Sequence, residues 1–382
     1  MSLTRASVSP IRFAVLLTLG AAACYHGGAA GDDGGSSGSG SDSDSASSVG
    51  SASNGSTAGS NSTTAGSNST TAGSNSTTEA TSGDPTTSDP TTDSADTTGG
   101  MVVPSSGCGL AIGDLTHLTQ IDAGNHIFSG NANGREYQVD VHPSVFDVDG
   151  NNTPQPLFFG IHGCYENIDN SRNNLFKFMI NGGGDASRPF IAVYPKSEGD
   201  CWSNSPTSSD HAYLEEIYAQ VYEDLCIDTQ AIFFAGQSSG AFEASSLPIW
   251  NIYGELPGRT HAVAINAGGL PYRAPLPSPG DVDPVHFFGI HSDIDPVVPV
   301  ANGRQARDFY LQVDGCSNTT GPLDPPTGCG DNGGQGQFAC NCVAYDDCSS
   351  ATPVLWCEHH WDVHYMPDWG PQAILDFFFD VY

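Results

Sequence analysis

The sequence predicts an α/β protein with a doubly wound, mostly parallel sheet, preceded by a disordered linker. From residue 105 onward, short apolar runs alternate with helical patterns, and several of these runs are apolar throughout. Continuous apolar runs are typical of parallel strands that are buried on both faces. Their alternation with helices is typical of a sheet covered by helices on both sides. Between residues 27 and 103 the chain has almost no apolar residues, which predicts the linker.

Seven apolar runs are the strand candidates of the folded part of the chain. They cover residues 136–142, 156–161, 189–194, 231–235, 261–267, 284–290 and 353–357. Asp210 is a favourable N-cap residue and predicts the start of a helix. Leu214 and Ile217 then fall on one face of that helix. Helices are also predicted over residues 241–250 and 371–382.

Residues 1–23 are typical of a secretory signal peptide. Arg5 and Arg12 precede an apolar run over residues 13–23, which is too short to span a bilayer as a helix. Cys24 follows directly, and this arrangement resembles a bacterial lipoprotein, in which that cysteine is lipidated. The alternative is ordinary signal cleavage, with Cys24 left as an odd thiol. We expect lipidation at Cys24 and a secreted or cell-surface protein anchored to a bacterial membrane.

Residues 24–104 are predicted to be the disordered linker, and residues 105–382 a single folded domain. The heptapeptide TAGSNST occurs three times over residues 57–77, within a segment of mostly Gly, Ser, Thr, Asn and Asp. Such a composition cannot bury enough apolar surface to offset the loss of chain entropy on folding. We therefore expect a flexible tether between Cys24 and the folded domain.

The chain has eleven cysteines, and the ten that remain without Cys24 indicate disulfides, because an even number in an exported chain can pair fully. The ten are Cys108, Cys164, Cys201, Cys226, Cys316, Cys329, Cys340, Cys342, Cys348 and Cys357. Zinc is the alternative. One residue separates Cys340 from Cys342, whereas about two to four separate the paired cysteines of zinc sites. We therefore expect disulfides, no metal and no cofactor.

The formal net charge of −32 at pH 7 bears on the choice of partners. Nucleic acid and anionic membrane surfaces would be repelled by this charge, so neither is an expected partner. Solubility of an exported protein is enough to explain the acidity. We expect a monomer that meets a membrane only through a lipid on Cys24.

The sequence Gly236-Gln237-Ser238-Ser239-Gly240 is the strongest chemical signal. It follows the strand candidate 231–235 and precedes a predicted helix, which is the strand–turn–helix context of a nucleophile elbow. A chance match is the alternative in a chain rich in glycine and serine, but this context favours the functional interpretation. The motif predicts an α/β-hydrolase fold with Ser238 as the nucleophile.

The backbone donors of an oxyanion hole are predicted near His162-Gly163-Cys164. This segment ends the strand candidate 156–161, where α/β-hydrolases place one donating N–H. The second donor is the residue after the nucleophile. We predict the N–H groups of Cys164 and Ser239. His162 is expected to be structural, with a catalytic role as the alternative.

The acid of a catalytic triad is expected after the strand candidate 284–290. Asp293 and Asp295 both follow this strand, and a carboxylate here can orient the catalytic histidine. We favour Asp295, because it leads into an apolar Pro-Val-Val turn that would bury and orient it. Asp293 would then be a loop cap or a supporting hydrogen-bonding residue.

The base is expected after the last strand candidate, where His359, His360 and His364 follow. We favour His364, with His360 next, because His364 lies at the far end of the loop. The order Ser238, Asp295, His364 agrees with the order of triad residues in this fold.

The chain resembles the group of secreted α/β-hydrolases that contains feruloyl esterases, acetylxylan esterases and polyhydroxybutyrate depolymerases. The resemblance covers residues 105–382 and is carried by Pro-Leu-Phe-Phe-Gly-Ile-His-Gly at 156–163, Leu-Cys-Ile-Asp-Thr at 225–229 ahead of the elbow, and residues 291–298. Pro-Val-Leu-Trp-Cys at 353–357 adds to it. The resemblance implies a Ser/Asp/His triad, no metal, and an aromatic or short-chain acyl ester as substrate.

The expected function is that of an extracellular serine carboxylic-ester hydrolase acting on feruloyl or acetyl esters of plant polysaccharide. One alternative is a polyester hydrolase similar to polyhydroxybutyrate depolymerase. Another is a surface-displayed binding protein that has lost activity. Residues 315–350 carry five of the ten cysteines between the acid and the base. They form either a wall of the substrate site or a surface loop.

Overall fold

The predicted strands assemble into one twisted sheet in the computed structural model. The structure describes residues 101–146, 153–177, 188–323, 326, 329, 340–360 and 364–382. The predicted signal peptide, Cys24 and the linker as far as residue 100 lie outside this part of the chain. The strands are β1 Thr119–Asp122, β2 Ile127–Ala132, β3 Arg135–Val141, β4 Gln155–Ile161, β5 Ile191–Tyr194, β6 Ile227–Gln237, β7 Thr260–Asn266, β8 His286–Ser292, β9 Thr320–Pro322, β10 Cys340–Tyr345 and β11 Val354–His359.

Helices cover both faces of this sheet. The longer helices are α1 Ser209–Asp224, α2 Ser239–Ala244, α3 Val300–Val313 and α4 Gly370–Val381. Short helical turns cover Ile112–Asp114, Pro143–Phe146, Ile168–Asn170, Ser171–Leu175 and Pro279–Asp281.

The centre of the sheet is parallel, as the continuous apolar runs predict. The strand order is β1-β2-β3-β5-β4-β6-β7-β8-β11-β10-β9, and the six strands from β5 to β11 in this order run parallel. The outer strands on both sides are antiparallel. The chain turns to opposite sides of the sheet after β4 and after β6. Ligands of open α/β sheets bind at such a switch point, beyond the carboxyl ends of the strands.

Alternate residues of the central strands fill two separate cores. Phe159 and Phe234 point to the face that α1 and α3 cover. Phe158 and Phe233, whose ring centroids lie 4.7 Å apart, point to the other face. There they meet Phe378 of α4. This two-sided burial confirms the predicted doubly wound architecture.

All seven predicted strands are present, as β3 to β8 and β11, and several other elements differ from expectation. Strands β1, β2, β9 and β10 and helix α3 were not predicted. Helix α1 begins at Ser209, and its N-cap is Ser208, whose hydroxyl accepts a hydrogen bond from His211 N–H. The prediction that Asp210 caps this helix was wrong, because its buried carboxylate instead forms an ion pair with Arg135. The helix after the elbow ends at Ala244, earlier than the predicted 241–250.

The ten predicted cysteines are all paired, which confirms the expectation of disulfides. The pairs are Cys108–Cys226, Cys164–Cys201, Cys316–Cys348, Cys329–Cys340 and Cys342–Cys357. In the described parts of residues 315–350, the chain adds β9 and β10 to the edge of the sheet. The centre of that segment lies outside the described residues.

The start of the described chain pairs with the central sheet. Val103 N–H donates to a carboxylate oxygen of Asp228 at 3.1 Å, and Thr229 N–H donates to Val103 C=O at 2.9 Å. Pro104 forms a bridge with Asp228. Of the helices in the described residues, none has the length and apolar character that crossing a membrane requires.

Candidate active site

The predicted site residues lie in four loops at the carboxyl ends of neighbouring parallel strands. Cys164 follows β4 and Ser238 follows β6, on either side of the switch point. Asp295 follows β8 and His364 follows β11. Because these strands are parallel, all four loops reach the same edge of the sheet.

Ser238 occupies a sharp turn with a backbone conformation that few side chains adopt. Its φ is 54° and its ψ is −121°. Glycines permit this turn, since a Cβ on Gly236 would collide with the carbonyl of Gly240, and a Cβ on Gly240 would collide with the carbonyls of Ile161 and His162. Ser238 N–H is held by Asn266 C=O at 2.9 Å. The turn leaves the serine side chain at the surface of the sheet edge, which is the geometry of a nucleophile elbow.

His364 connects Ser238 to Asp295 through hydrogen bonds. The Ser238 hydroxyl donates to His364 Nε2 at 2.7 Å. On the other side of the ring, His364 Nδ1–H donates to the Asp295 carboxylate, at 2.8 Å from Oδ2 and 3.1 Å from Oδ1. The arrangement can therefore move a proton from the serine hydroxyl to the imidazole, while the carboxylate holds the ring and stabilises the imidazolium.

Asp295 is a buried carboxylate that stays ionised because it has several donors. Its side chain has 0% exposure. Burial alone raises the pKa of Asp295, but hydrogen bonds from His291, His364 and the N–H groups of Val297 and Val298 outweigh burial, so the pKa lies well below its ordinary value. The two backbone N–H groups both donate to Oδ1, at 2.8 and 2.9 Å. Oδ2 faces the two histidines, with His364 Nδ1 at 2.8 Å and His291 Nε2 at 3.5 Å.

The other candidate pair also forms, but apart from Ser238. The Nδ1 of His360 lies 2.7 Å from Oδ1 of Asp293, and the two side chains are 47% and 38% exposed. His359, the third histidine of this loop, is buried, and burial with the neighbouring His291 lowers its pKa to about 4. Of the three histidines, the structure therefore brings His364 to Ser238.

The two predicted oxyanion donors flank the serine. Ser239 begins α2, and Cys164 lies in the loop after β4. Gly163 N–H is occupied, since it donates to Glu166 Oε2 at 2.7 Å. Within the described residues, no hydrogen bond uses the N–H of Cys164 or Ser239. Both groups can therefore donate to an oxygen that develops negative charge beside Ser238.

Supporting residues that the sequence did not reveal fix this region. Trp202 N–H donates to the Ser239 hydroxyl at 2.8 Å, and Trp202 Nε1–H donates to His162 C=O at 2.9 Å. The neighbouring Cys201 is bonded to Cys164. The loop after β5 thus ties both predicted donors together. In the sequence, this support was indicated only by the position of Trp202 directly after Cys201.

His162 has contacts that suit a structural role. It is fully buried, its Nδ1 lies 2.7 Å from Gly163 C=O, and its Nε2 accepts a hydrogen bond from Ser197 N–H at 3.4 Å. Burial lowers its pKa. A neutral histidine with both ring nitrogens occupied orients the loop without exchanging protons.

The part of the chain that the structure describes contains no evident set of metal ligands. There, no group of three or more His, Cys, Asp and Glu side chains could hold an ion. Cys340 and Cys342, which raised the zinc alternative, each belong to a disulfide.

The fold and the elbow define an α/β-hydrolase. Comparison with known proteins identifies the family within this class. A probable feruloyl esterase C of Aspergillus clavatus is 30% identical over 199 residues, 51% of this chain and 67% of the relative. Feruloyl esterase D of Neurospora crassa is 27% identical over 68% of this chain and 82% of its own length. The chain belongs to the family of α/β-hydrolase carboxylesterases that contains these feruloyl esterases.

The extent of these matches varies. The chain spans 63% of the length of a probable feruloyl esterase C of Aspergillus niger. No family model matches the chain. Among solved structures, an acetyl xylan esterase from Aspergillus awamori is 15% identical with a TM-score of 0.45, over 69% of this chain and 99% of that one.

Proposed function

We propose that this chain is an extracellular serine carboxylic-ester hydrolase that acts on feruloyl or acetyl esters of plant polysaccharide. The observation that carries the proposal is the hydrogen-bonded series from Ser238 through His364 to Asp295. The names of the relatives, which are feruloyl esterases, support the substrate class. No cofactor is required.

The proposed mechanism follows from these contacts. His364 Nε2 takes the proton of Ser238 as the serine oxygen attacks the ester carbonyl, and the N–H groups of Cys164 and Ser239 stabilise the oxyanion. The C–O bond to the alcohol breaks, and His364 returns the proton to the leaving oxygen. Water, deprotonated by the same histidine, then attacks the acyl carbon, the bond from this carbon to the Ser238 oxygen breaks, and His364 returns the proton to the serine as the acid leaves.

The experiment compares Ser238→Ala with the wild type on methyl ferulate, acetylated xylan and short polyhydroxybutyrate. Loss of the nucleophile should reduce turnover by on the order of 10⁶. The wild type should hydrolyse methyl ferulate or acetylated xylan faster than the polyester. Substantial activity of the serine variant would contradict the triad. Preference for polyhydroxybutyrate would favour the polyester alternative, and no activity on p-nitrophenyl acetate would favour a binding protein.

We also propose that residues 1–23 direct export, that Cys24 carries a lipid, and that residues 24–104 tether the monomeric domain 105–382. The composition of the linker and the complete pairing of the ten domain cysteines support this organisation. A bacterial host supplied with labelled palmitate should label the wild type but not Cys24→Ala. Equal absence of label in both proteins would contradict the anchor.

A further inference from the structure

Gln237 connects the end of strand β6 to the loop of the proposed base. It is the last residue of β6 and directly precedes Ser238. Its backbone lies in the sheet opposite Asn266 of β7, and the residue is only 2% exposed. The side-chain Nε2–H donates to the His364 carbonyl at 2.9 Å. The residue before the proposed nucleophile therefore binds the main chain of the proposed base.

The orientation of the Gln237 amide follows from its two neighbours. A carbonyl oxygen can only accept a hydrogen bond, so the NH₂ group must face His364. The amide oxygen lies against Gly163 in the loop after β4, where a Cβ would come within 2.4 Å of Oε1. A side chain at position 163 would thus displace the amide. The Gln237 side chain therefore occupies the space between the loop after β4 and the loop after β11.

Three residues hold His364 by hydrogen bonds, and each acts on a different part of it. Asp295 binds Nδ1 at 2.8 Å and sets the direction of the ring. The Ser238 hydroxyl donates to Nε2 at 2.7 Å, but this bond changes when the proton moves. Among the described residues, the bond from Gln237 is the only one to the His364 main chain. The distance between serine and base during the reaction therefore depends on Asp295 and Gln237.

We propose that Gln237 is a positioning residue, which keeps the main chain of His364 where Nε2 can take the proton of Ser238 and deliver it to the leaving oxygen. The inference rests on the proposed esterase function and extends it to a position at which the elbow motif specifies no side chain. Without this bond, the loop after β11 can shift relative to β6 while Asp295 still holds the ring. A shift of about 1 Å can lower the rate by on the order of 10²-fold.

A shift of His364 should affect different esters unequally. p-Nitrophenolate leaves without a proton, whereas an alkoxide requires the proton that His364 delivers. A shift of the loop after β4 would instead weaken the oxyanion donors, and both kinds of ester would lose rate alike because both develop the same oxyanion. Comparison of the two esters therefore separates an effect of Gln237 on the base from an effect on the loop after β4.

The experiment compares Gln237→Met with the wild type on methyl ferulate and on p-nitrophenyl ferulate, which share the acyl group. Methionine has a similar length and no amide donor. The kcat/KM for methyl ferulate should fall by about 10- to 100-fold. The loss on the p-nitrophenyl ester should be smaller by about 3- to 10-fold, because its leaving group needs no proton.

Proton NMR supplies a readout that requires no activity. The Nδ1–H of His364, shared with the Asp295 carboxylate, should give a downfield signal in the wild type. In Gln237→Met this signal should shift or broaden, because the histidine main chain is no longer held. A loss of stability alone would not change this signal in the folded protein.

The matched control is Gln220→Met in helix α1. Gln220 is also buried, and its Nε2–H donates to a main-chain carbonyl, that of Asn131, at 3.0 Å. This variant should lower the melting temperature but leave both kcat/KM values and the NMR signal unchanged. Gln237→Leu, which also lacks a donor, replaces Gln237→Met if melting shows that the latter does not fold.

The positioning role and the proposed function fail in different ways. Wild-type kcat/KM values in Gln237→Met, equal losses on the two esters, or an unchanged NMR signal would each overturn the positioning role. A wild type without activity on either ester would contradict the proposed function. The NMR comparison would still test whether Gln237 positions His364.

Discussion

Replacing Asp295 by asparagine changes one atom at the centre of the candidate triad. Oδ1 accepts the N–H groups of Val297 and Val298, at 2.8 and 2.9 Å, so the asparagine oxygen should stay there. The new NH₂ group then takes the position of Oδ2, which lies 2.8 Å from His364 Nδ1. An NH₂ group donates, so it requires an unprotonated Nδ1. The ring proton then lies on Nε2, which can no longer accept the proton of Ser238.

The expected effect is a large loss of kcat with little change in KM. A wrong histidine tautomer and the loss of a carboxylate beside the imidazolium reduce turnover by about 10⁴-fold in a comparable triad. We expect a loss on the order of 10³–10⁴ for Asp295→Asn on p-nitrophenyl acetate. The fold should persist, since the side-chain volume is nearly unchanged.

Asp293→Asn is the matched control, because it makes the same change two residues earlier in the same loop. Asp293 pairs with His360 at an exposed position, and exposed ion pairs contribute about 0–1 kcal/mol to stability. Its kcat should remain within about fivefold of the wild type. A loss for Asp293→Asn as large as that for Asp295→Asn would refute the assignment. So would an Asp295→Asn enzyme that retains more than about a tenth of wild-type turnover.

The remaining predictions concern the disulfide beside the predicted oxyanion donors and a buried carboxylate in helix α2. Replacing both Cys164 and Cys201 by serine should lower kcat by about 10–100-fold, because a shift of about 1 Å in a donor can have that effect. The control double variant, Cys316→Ser with Cys348→Ser, should lower the free energy of unfolding by about 2–5 kcal/mol and leave kcat unchanged. Equal losses of kcat in the two double variants would show that the Cys164–Cys201 disulfide has no special effect on the site. Burial of Glu243, together with the negative charge of nearby Asp210, raises its pKa to about 8, although a backbone hydrogen bond from Asn204 opposes this shift. The folded state then binds a proton that the unfolded state releases, so stability should fall as pH rises from about 4.5 to about 8. Guanidinium unfolding at pH 5 and pH 8.5 measures this fall, which should be about a few kcal/mol in the wild type and absent in Glu243→Gln. A variant with the same pH dependence as the wild type would contradict the assignment to Glu243.

The central sheet was predictable because burial on both faces leaves a strong signal in the sequence. Residues 156–161 of β4 and 231–235 of β6 are buried and form continuous apolar runs. The edge strands were missed because they are half exposed: β1 reads Thr-Gln-Ile-Asp and β9 reads Thr-Gly-Pro. Helix α3 was missed because its buried stripe is narrow and lies among polar residues.

The supporting residues of the site were not predictable, because they depend on contacts between distant loops. Trp202 reaches Ser239, 37 positions away in the chain, and Gln237 Nε2–H donates to the His364 carbonyl across 127 positions. Trp202 belongs to no local motif, and Gln237 occupies a position of the elbow motif at which the pattern does not specify the side chain. Glu166 likewise acts through a backbone N–H three residues before it, inside a loop with no periodic pattern.

The choice between the two Asp–His pairs shows where sequence reasoning stops and geometry continues. Asp293 and Asp295 lie on one loop, and both find a histidine on the loop after β11, so spacing alone leaves two solutions. The pairs differ in solvation. Water stabilises the exposed pair, and no second partner is needed. The Asp295 carboxylate has no exposure and depends on N–H donors from the turn that follows it, so it is the one that can bias His364 strongly. A buried, ionised carboxylate on one side of the imidazole and a serine hydroxyl on the other favour Asp295 as the acid of the proposed triad.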